Sequence, residues 1–167
     1  MLSKSVLLEL SLRNSYDFAL SFAGEDRGLA EKLNNLLLDR EISVFYDKNE
    51  QHRILTSNVE DYLAPIYNSE ADYVIALLSS NYPKKIWTKF ESKHFKQRFG
   101  ENAVIPIWYS DADTSLFDES RKYGGITFQV NNDLQSEAEN IVNMVSKMLE
   151  AKRKEKCSSL SILQAQI

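Results

Sequence analysis

The chain has 167 residues, of which 43% are hydrophobic and 26% are charged. These proportions are ordinary for one globular domain with a hydrophobic core, so they exclude a disordered or a fibrous protein. A formal net charge of -4 speaks against direct nucleic-acid binding, because neutralising phosphates needs a basic surface.

The predicted elements begin with a strand over Tyr16–Phe22, an apolar run that stops at a small-residue turn. A helix is predicted to begin near Glu25, because apolar residues then recur at helical spacing on one face. That face carries Leu29, Ala30, Leu33, Leu36 and Leu37. A strand-loop-helix junction of this kind lies at the carboxyl edge of an open α/β sheet, where ligands bind.

A second strand is predicted over Ile42–Tyr46. After a polar loop, a helix is predicted over Ser57–Tyr67, which Pro65 shortens or bends because proline cannot donate a helical hydrogen bond. The third strand, Tyr73–Leu78, is apolar at nearly every position. This pattern is typical of a strand that is covered on both faces.

The third helix is predicted to start after Ser80–Pro83, to run to about Phe99 and to end at Gly100. Two further strands, Val104–Tyr109 and Ile126–Val130, flank a polar stretch that we interpret as mostly loop. A last helix is predicted from the helical repeat that follows, to about residue 150. Its apolar face is formed by Leu134, Ala138, Ile141, Val142, Val145, Met148 and Leu149.

Alternation of strands and helices predicts a parallel sheet with helices on both faces. The expected fold is a flavodoxin-like three-layer α/β sandwich with five strands. We assign residues 1–15 to an N-terminal extension, 16–151 to the domain and 152–167 to a charged and polar tail or linker toward another module. The single cysteine, Cys157, can form no internal disulfide, and no run has the length of a membrane span. We therefore expect a cytoplasmic protein without membrane contact.

The sequence lacks the motifs of several common binding and catalytic sites. It has neither a Walker phosphate loop nor a Gly-x-Gly-x-x-Gly turn, and the carboxylates of Glu25 and Asp26 in the first loop would repel a phosphate. The two histidines, His52 and His94, are too few for a histidine metal site, so we expect no metal. A response-regulator receiver needs an aspartate at the end of the third strand, where this chain continues into Ser79 and a second serine.

Glu91 is the candidate functional carboxylate of this sequence. Trp87, Glu91 and Phe95 follow one another at intervals of four, which in a continuous helix places a carboxylate within an aromatic stripe. No lysine or arginine stands three or four positions away to pair with it. Two interpretations remain from the residues alone. The glutamate is a structural carboxylate that is solvated or paired with a distant strand, or it is a functional carboxylate near the carboxyl edge of the sheet.

Four motifs, in order and in register, resemble the TIR domain family in the form common among its bacterial members. Tyr16–Arg27 closely resembles the opening motif of the family, and Val44–Asp47 resembles the second-strand block that leads into its BB loop. Leu77–Tyr82 is similar to the Ser-x-x-Tyr end of the third strand, and Trp87–Glu91 is similar to the Trp-x-x-x-Glu helix motif. The resemblance covers residues 16 to 151, most of the chain.

The resemblance implies a NAD glycohydrolase, which cleaves the nicotinamide–ribose bond and releases nicotinamide with ADP-ribose or a cyclic ADP-ribose. NAD is then the substrate, and no cofactor is expected. The resemblance makes Glu91 the catalytic residue. The NAD-binding positions that it implies are Phe22, Ala23, Gly24, Asp47, Glu50 and Trp87. From the residues alone, core packing explains Trp87 as well as a pocket wall does, and loop carboxylates such as Asp47 and Glu50 are usually just solvated.

The resemblance also implies self-assembly. Members of the family often associate head to tail to complete the pocket, and an open interface of this kind produces filaments. A bacterial defence or cell-suicide effector with a fused or partner sensor module is the expected setting. One departure is the BB-loop segment 48–58, which has no glycine or proline. The alternatives left open are a non-catalytic TIR–TIR interaction module in signalling and transfer of ADP-ribose to another acceptor.

Overall fold

A computed structural model describes residues 16–46, 66, 70–90, 92–100, 102–113 and 125–165. The strands in these ranges are β1 (Phe18–Ser21), β2 (Val44–Phe45), β3 (Tyr73–Leu78), β4 (Val104–Tyr109) and β5 (Ile126–Phe128). The helices are α1 (Arg27–Asp39), α2 (Lys84–Phe90), α3 (Lys93–Phe99) and α4 (Leu134–Ala165). None of the helices in these ranges combines the length and the apolar character that a membrane crossing requires.

The strands form one parallel sheet in the order β2-β1-β3-β4-β5. β1 lies inside the sheet, because Phe18 pairs with Val44 of β2 on one side and with Tyr73 of β3 on the other. β3 and β4 share the longest ladder, from Val74 to Leu78 on the β3 side. This topology confirms the predicted flavodoxin-like fold with five parallel strands.

Each face of the sheet has its own hydrophobic core, because successive strand side chains point to opposite faces. On the first face, Leu20, Ile75 and Ile107 pack with the apolar faces of α1 and α4. On the second face, Val74 and Trp108 pack with α2 and α3. The sheet is thus covered on both sides, which explains why β3 is apolar along its whole length.

The predicted third helix is in fact two helices, α2 and α3, and here the sequence prediction was wrong. Ser92 has an extended backbone, with φ -66° and ψ 150°, and its Oγ accepts a hydrogen bond of 3.3 Å from the backbone N–H of Phe95. This N-cap starts a new helix, which Gly100 ends at φ 97° as predicted. Trp87 and Phe95 therefore lie in different helices and do not share one continuous helical face.

Helix α4 is longer than predicted. Its periodic apolar face ends at Leu149, but the helix continues to Ala165. Three basic side chains of this extension form ion pairs at the amino edge of the sheet. The pairs are Lys152–Asp72 at 3.3 Å, Lys156–Asp72 at 3.6 Å and Arg153–Asp17 at 3.0 Å. Since two of the three basic side chains are mostly exposed, each such pair stabilises the helix only slightly.

β3 and β4 have the predicted bounds, whereas the inner strand β1 and the end strands β2 and β5 are shorter than predicted. The predicted helix over 57–67 lies outside the described residues except for Ile66, which is helical and buried. The N-terminal extension and most of the loop predicted between β4 and β5 also lie outside them.

Candidate active site

The path of the chain through the sheet changes direction between β1 and β3. From β1 the chain continues to β2 on one side, and β3 then lies on the other side of β1. The connection after β1 leads to α1 on the first face, and the connection after β3 leads to α2 on the second face. The two loops diverge at the carboxyl edge, which is where open α/β sheets bind ligands.

The loop after β1 holds three of the predicted site residues. The ring of Phe22 is buried and stacks on Tyr46, with ring centroids 5.6 Å apart. Ala23 is buried as well, and Gly24, which is partly exposed, begins a 3-10 turn over Gly24–Asp26. The Phe22 ring therefore belongs to the first-face core, and the exposed part of this loop begins at Gly24.

Trp87 lies in α2 on the second face of the sheet. Its indole is 7% exposed and meets the rings of Phe90 and Trp108 edge to face, with centroids 6.5 and 5.9 Å away. These contacts make Trp87 a core side chain. The structure does not bring it together with the ring of Phe22, because the two lie in the cores on opposite faces.

Three predicted site residues, Glu91, Asp47 and Glu50, lie outside the described residues, so their roles stay predictions. On either side of Glu91 the chain is described: Phe90 is buried at the end of α2, and Ser92 is the N-cap of α3. In the described ranges, no three histidine, cysteine, aspartate or glutamate side chains come together as a metal site would require.

Two buried side-chain hydrogen bonds join the loop after β3 to β1 and to the loop that follows β1. On the second face, the hydroxyls of Ser21 and Tyr82 are 2.7 Å apart. On the first face, the Ser79 hydroxyl donates to the carboxylate of Asp26. The backbone N–H of Asn81 in turn donates to Ser79 Oγ at 3.1 Å. The loop after β3 is therefore tied to the β1 segment on both faces of the sheet.

The carboxyl of Asp26 is buried, and burial raises its pKa, although the hydrogen bond from Ser79 acts in the opposite direction. The carboxylates of Glu25 and Asp111 raise this pKa further. Tyr109 is buried beside Asp26, but its hydroxyl has no hydrogen-bond partner among the described residues. Burial, followed by the charge of Asp26, raises the pKa of Tyr109.

Asp26→Asn is expected to raise the melting temperature at neutral pH, because burial disfavours the charged form of this carboxyl. The pKa of Asp26 is higher in the folded chain than its ordinary value of 3.8, so the folded state binds the proton more tightly. The stability from this group is complete below pH 3.8 and is lost as the pH rises through the folded-state pKa. Asparagine, which is always neutral, avoids that loss. Melting curves across pH should show the difference at pH 7 vanish in acid, and equal melting temperatures at pH 7 would contradict the expectation.

Sequence reasoning did not identify Asp26 and Ser79 as a pair. It treated Asp26 as a loop carboxylate that would repel a phosphate, and Ser79 as the place where a receiver would have a carboxylate. The usable signal was topological, because both residues follow the carboxyl ends of strands that are neighbours in the sheet.

The model of the TIR domain family matches residues 18–142 of the chain. Among curated proteins, the "3' cyclic ADP-D-ribose synthase AaTIR" of Aquimarina amphilecti is 38% identical over 101 residues, which are 59% of this chain and 31% of that protein. The "2' cyclic ADP-D-ribose synthase BtTIR" of Bacteroides thetaiotaomicron is 32% identical over 104 residues, 56% of this chain and 33% of that protein. The matched part is about a third of the length of these relatives.

Among solved structures, the chain resembles the TIR domains of the activated Roq1 resistosome that directly recognizes the pathogen effector XopQ. The TM-score is 0.54 at 21% identity, and the match covers 78% of this chain and 99% of that one. At this identity the likeness shows the fold, which agrees with the parallel sheet described above. Because the family match runs from the start of β1 into α4, the chain belongs to the TIR domain family.

Proposed function

We propose that this TIR domain cleaves NAD at the nicotinamide–ribose bond, giving nicotinamide and either ADP-ribose or a cyclic ADP-ribose. The observation that carries the proposal is that both curated relatives are named as synthases of a cyclic ADP-ribose. Such a product requires that this bond of NAD is broken. NAD serves as the substrate in this proposal, and no cofactor takes part.

Glu91 is the proposed catalytic residue. When the bond between the ribose C1′ and nicotinamide breaks, both bonding electrons stay with nicotinamide, which leaves as a neutral molecule. The ribose then carries positive, oxocarbenium-like charge, which a nearby carboxylate stabilises. Water adds to C1′ and loses a proton to give ADP-ribose. Attack by an oxygen or nitrogen of the same molecule closes a ring instead.

The described residues support a site at the carboxyl edge near the end of α2. Trp87 fixes α2 on the sheet through its edge-to-face contact with Trp108, and the chain leaves α2 directly into Glu91. The neighbouring loop after β1 is partly exposed at Gly24 and exposed at Glu25. We propose that NAD lies between the segment that follows α2 and the loop after β1. Asp47 and Glu50 of the BB loop would make further contacts with it.

We further propose that the domain works as one part of a larger assembly in a cytoplasmic defence or cell-suicide system. The matched part is only about a third of the length of its curated relatives, and the structural neighbour is part of a resistosome. The extension of α4 carries Leu160, Ile162 and Leu163, each more than half exposed. Residues 152–167 are therefore proposed to lead toward another module, and TIR–TIR contacts are proposed to complete the site.

Nicotinamide release from NAD, followed over a series of protein concentrations, tests the proposal. We expect release at a rate per molecule that rises with concentration, because assembly would complete the site. Mass photometry of the same samples reports the assembly directly. If assembled protein releases no nicotinamide, the chain is the rival kind of TIR domain, a non-catalytic interaction module.

A further inference from the structure

We infer that Asp26 and Ser79 form a positioning pair for the NAD reaction, holding the loop after β3, and with it α2, in the geometry that the site requires. This inference rests on the proposed function. The two residues act through the loop and are not themselves proposed to touch the substrate. Asp26 lies in the opening motif and Ser79 in the Ser-x-x-Tyr block, but the resemblance gave neither residue a role.

The pair joins segments that are distant in sequence and adjacent in space. Asp26 ends the 3-10 turn after β1, and its backbone N–H donates to the carbonyl of Ala23 at 2.9 Å. Ser79 follows β3 directly and donates its hydroxyl to the Asp26 carboxylate. Since both side chains are less than a tenth exposed, water does not compete strongly for this hydrogen bond.

Ser79 also organises its own loop. Its Oγ accepts a hydrogen bond from the backbone N–H of Asn81, and its carbonyl accepts one from the N–H of Tyr82 at 3.1 Å. The Tyr82 hydroxyl then meets Ser21 of β1 at 2.7 Å. Ser79 thus orients the start of the loop after β3. It also orients Tyr82, whose hydroxyl contacts β1 on the second face of the sheet.

The orientation of this loop sets the start of α2. Pro83 follows Tyr82, and its carbonyl accepts the first hydrogen bonds of the helix, from the N–H groups of Ile86 and Trp87 at 3.1 and 3.4 Å. A displacement of the loop would therefore move α2 and the chain that continues from it into Glu91. Misplacement of a catalytic group by about 1 Å is enough to lower a rate by about 100-fold.

The chain contains a matched control pair at the opposite edge of the sheet. Ser43 donates its hydroxyl to Asp17 Oδ2 at 3.1 Å, which joins the starts of β1 and β2. It is the same chemical pair, a serine and an aspartate bridging neighbouring strands, but it is far along the strands from the carboxyl edge. Removing it tests the cost of a lost serine–aspartate bond without touching the proposed site.

The test compares Ser79→Ala, Asp26→Ala and Asp26→Asn with Ser43→Ala. In nicotinamide release, we expect kcat to fall at least tenfold in Ser79→Ala and Asp26→Ala, with a smaller change in KM. Asp26→Asn keeps an oxygen that accepts from Ser79, so its kcat should stay within about twofold of the parent. Ser43→Ala should behave like Asp26→Asn. Melting curves establish that each variant is folded at the assay temperature.

A second readout is independent of activity. The chain has two tryptophans, and both belong to the Trp87–Trp108 contact, so the near-ultraviolet circular dichroism in the tryptophan region reports how α2 sits on β4. Ser79→Ala should change this signal in folded protein, and Ser43→Ala should not. If the parent chain is inactive, and Ser79→Ala changes the spectrum while Ser43→Ala does not, the proposed function is overturned but the loop geometry is not. An active parent, with Ser79→Ala and Ser43→Ala alike in both readouts, would overturn the positioning role.

Discussion

Glu91→Ala is expected to lower nicotinamide release from NAD by about 100-fold to 1,000-fold, the usual loss when one group that stabilises transition-state charge is removed. The physical reason is that the ribose becomes positively charged as neutral nicotinamide leaves, and the carboxylate offsets that charge. Because the loss concerns the transition state, it should appear in kcat more than in KM. Glu91→Gln, which keeps the shape but not the charge, should lose nearly as much.

Glu150→Gln is the matched control for this prediction. Glu150 is an exposed glutamate on α4, so its substitution removes the same charge from the domain away from the proposed site. It should leave kcat within about twofold, since exposed charges interact weakly with a distant site. Equal activity of Glu91→Gln and the parent chain would remove Glu91 from the catalytic role while leaving NAD cleavage intact.

Gly125→Ala is expected to destabilise the fold by about 3 kcal/mol or more, lowering the melting temperature by about 10 °C. Gly125 precedes β5 with φ +143°, a conformation that residues with a Cβ rarely adopt. A Cβ there would lie 2.5 Å from Trp108 Nε1 and 2.8 Å from the carbonyl oxygen of Pro106. The backbone of β4 or β5 must therefore shift to make room for it.

Gly28→Ala is the control for Gly125→Ala. Gly28 lies in the first turn of α1, and a Cβ there meets no atom within 4 Å. Alanine at this position should stabilise the domain by about 0.5 kcal/mol, because it restricts the unfolded chain and favours the helix. Chemical denaturation of both variants measures the two effects. Similar unfolding free energies for both variants would contradict the close packing described around Gly125.

The sequence predicted the sheet well where burial on both faces leaves a continuous apolar run. The bounds of β3 and β4 were predicted correctly for this reason. β2 and β5 lie at the ends of the strand order and are shorter than their apolar runs suggested. At these positions, pairing with a single neighbour decides the strand length, and that pairing cannot be read from hydrophobicity.

The break between α2 and α3 shows how a periodic pattern can hide a helix end. Trp87 and Phe95 are both buried in the second-face core, so their spacing continues the apolar pattern across the break. The serine between them is a common N-cap residue, but the prediction followed the periodicity and did not consider it. The structure places Ser92 as the cap, which removes the continuous aromatic stripe from the argument for Glu91. The Trp-x-x-x-Glu motif itself does not depend on that stripe.

The pairing of Asp26 with Ser79 was not predicted, because the two residues are 53 positions apart and only the strand order, not a local spacing, connects them. The family resemblance implied that Phe22–Gly24 and Trp87 all contact NAD. It did not reveal that the rings of Phe22 and Trp87 belong to separate cores. Side-chain direction depends on the pleat of β1, which a motif does not report.

Chromatography of the products formed from NAD tests the central claim most directly. The parent chain, assembled at high concentration, should convert NAD into nicotinamide and an equal amount of ADP-ribose, of a cyclic ADP-ribose or of the two together. The Glu91→Ala chain under the same conditions should leave NAD almost intact. Unchanged NAD in the assembled parent sample would contradict the account and identify the domain as an interaction module.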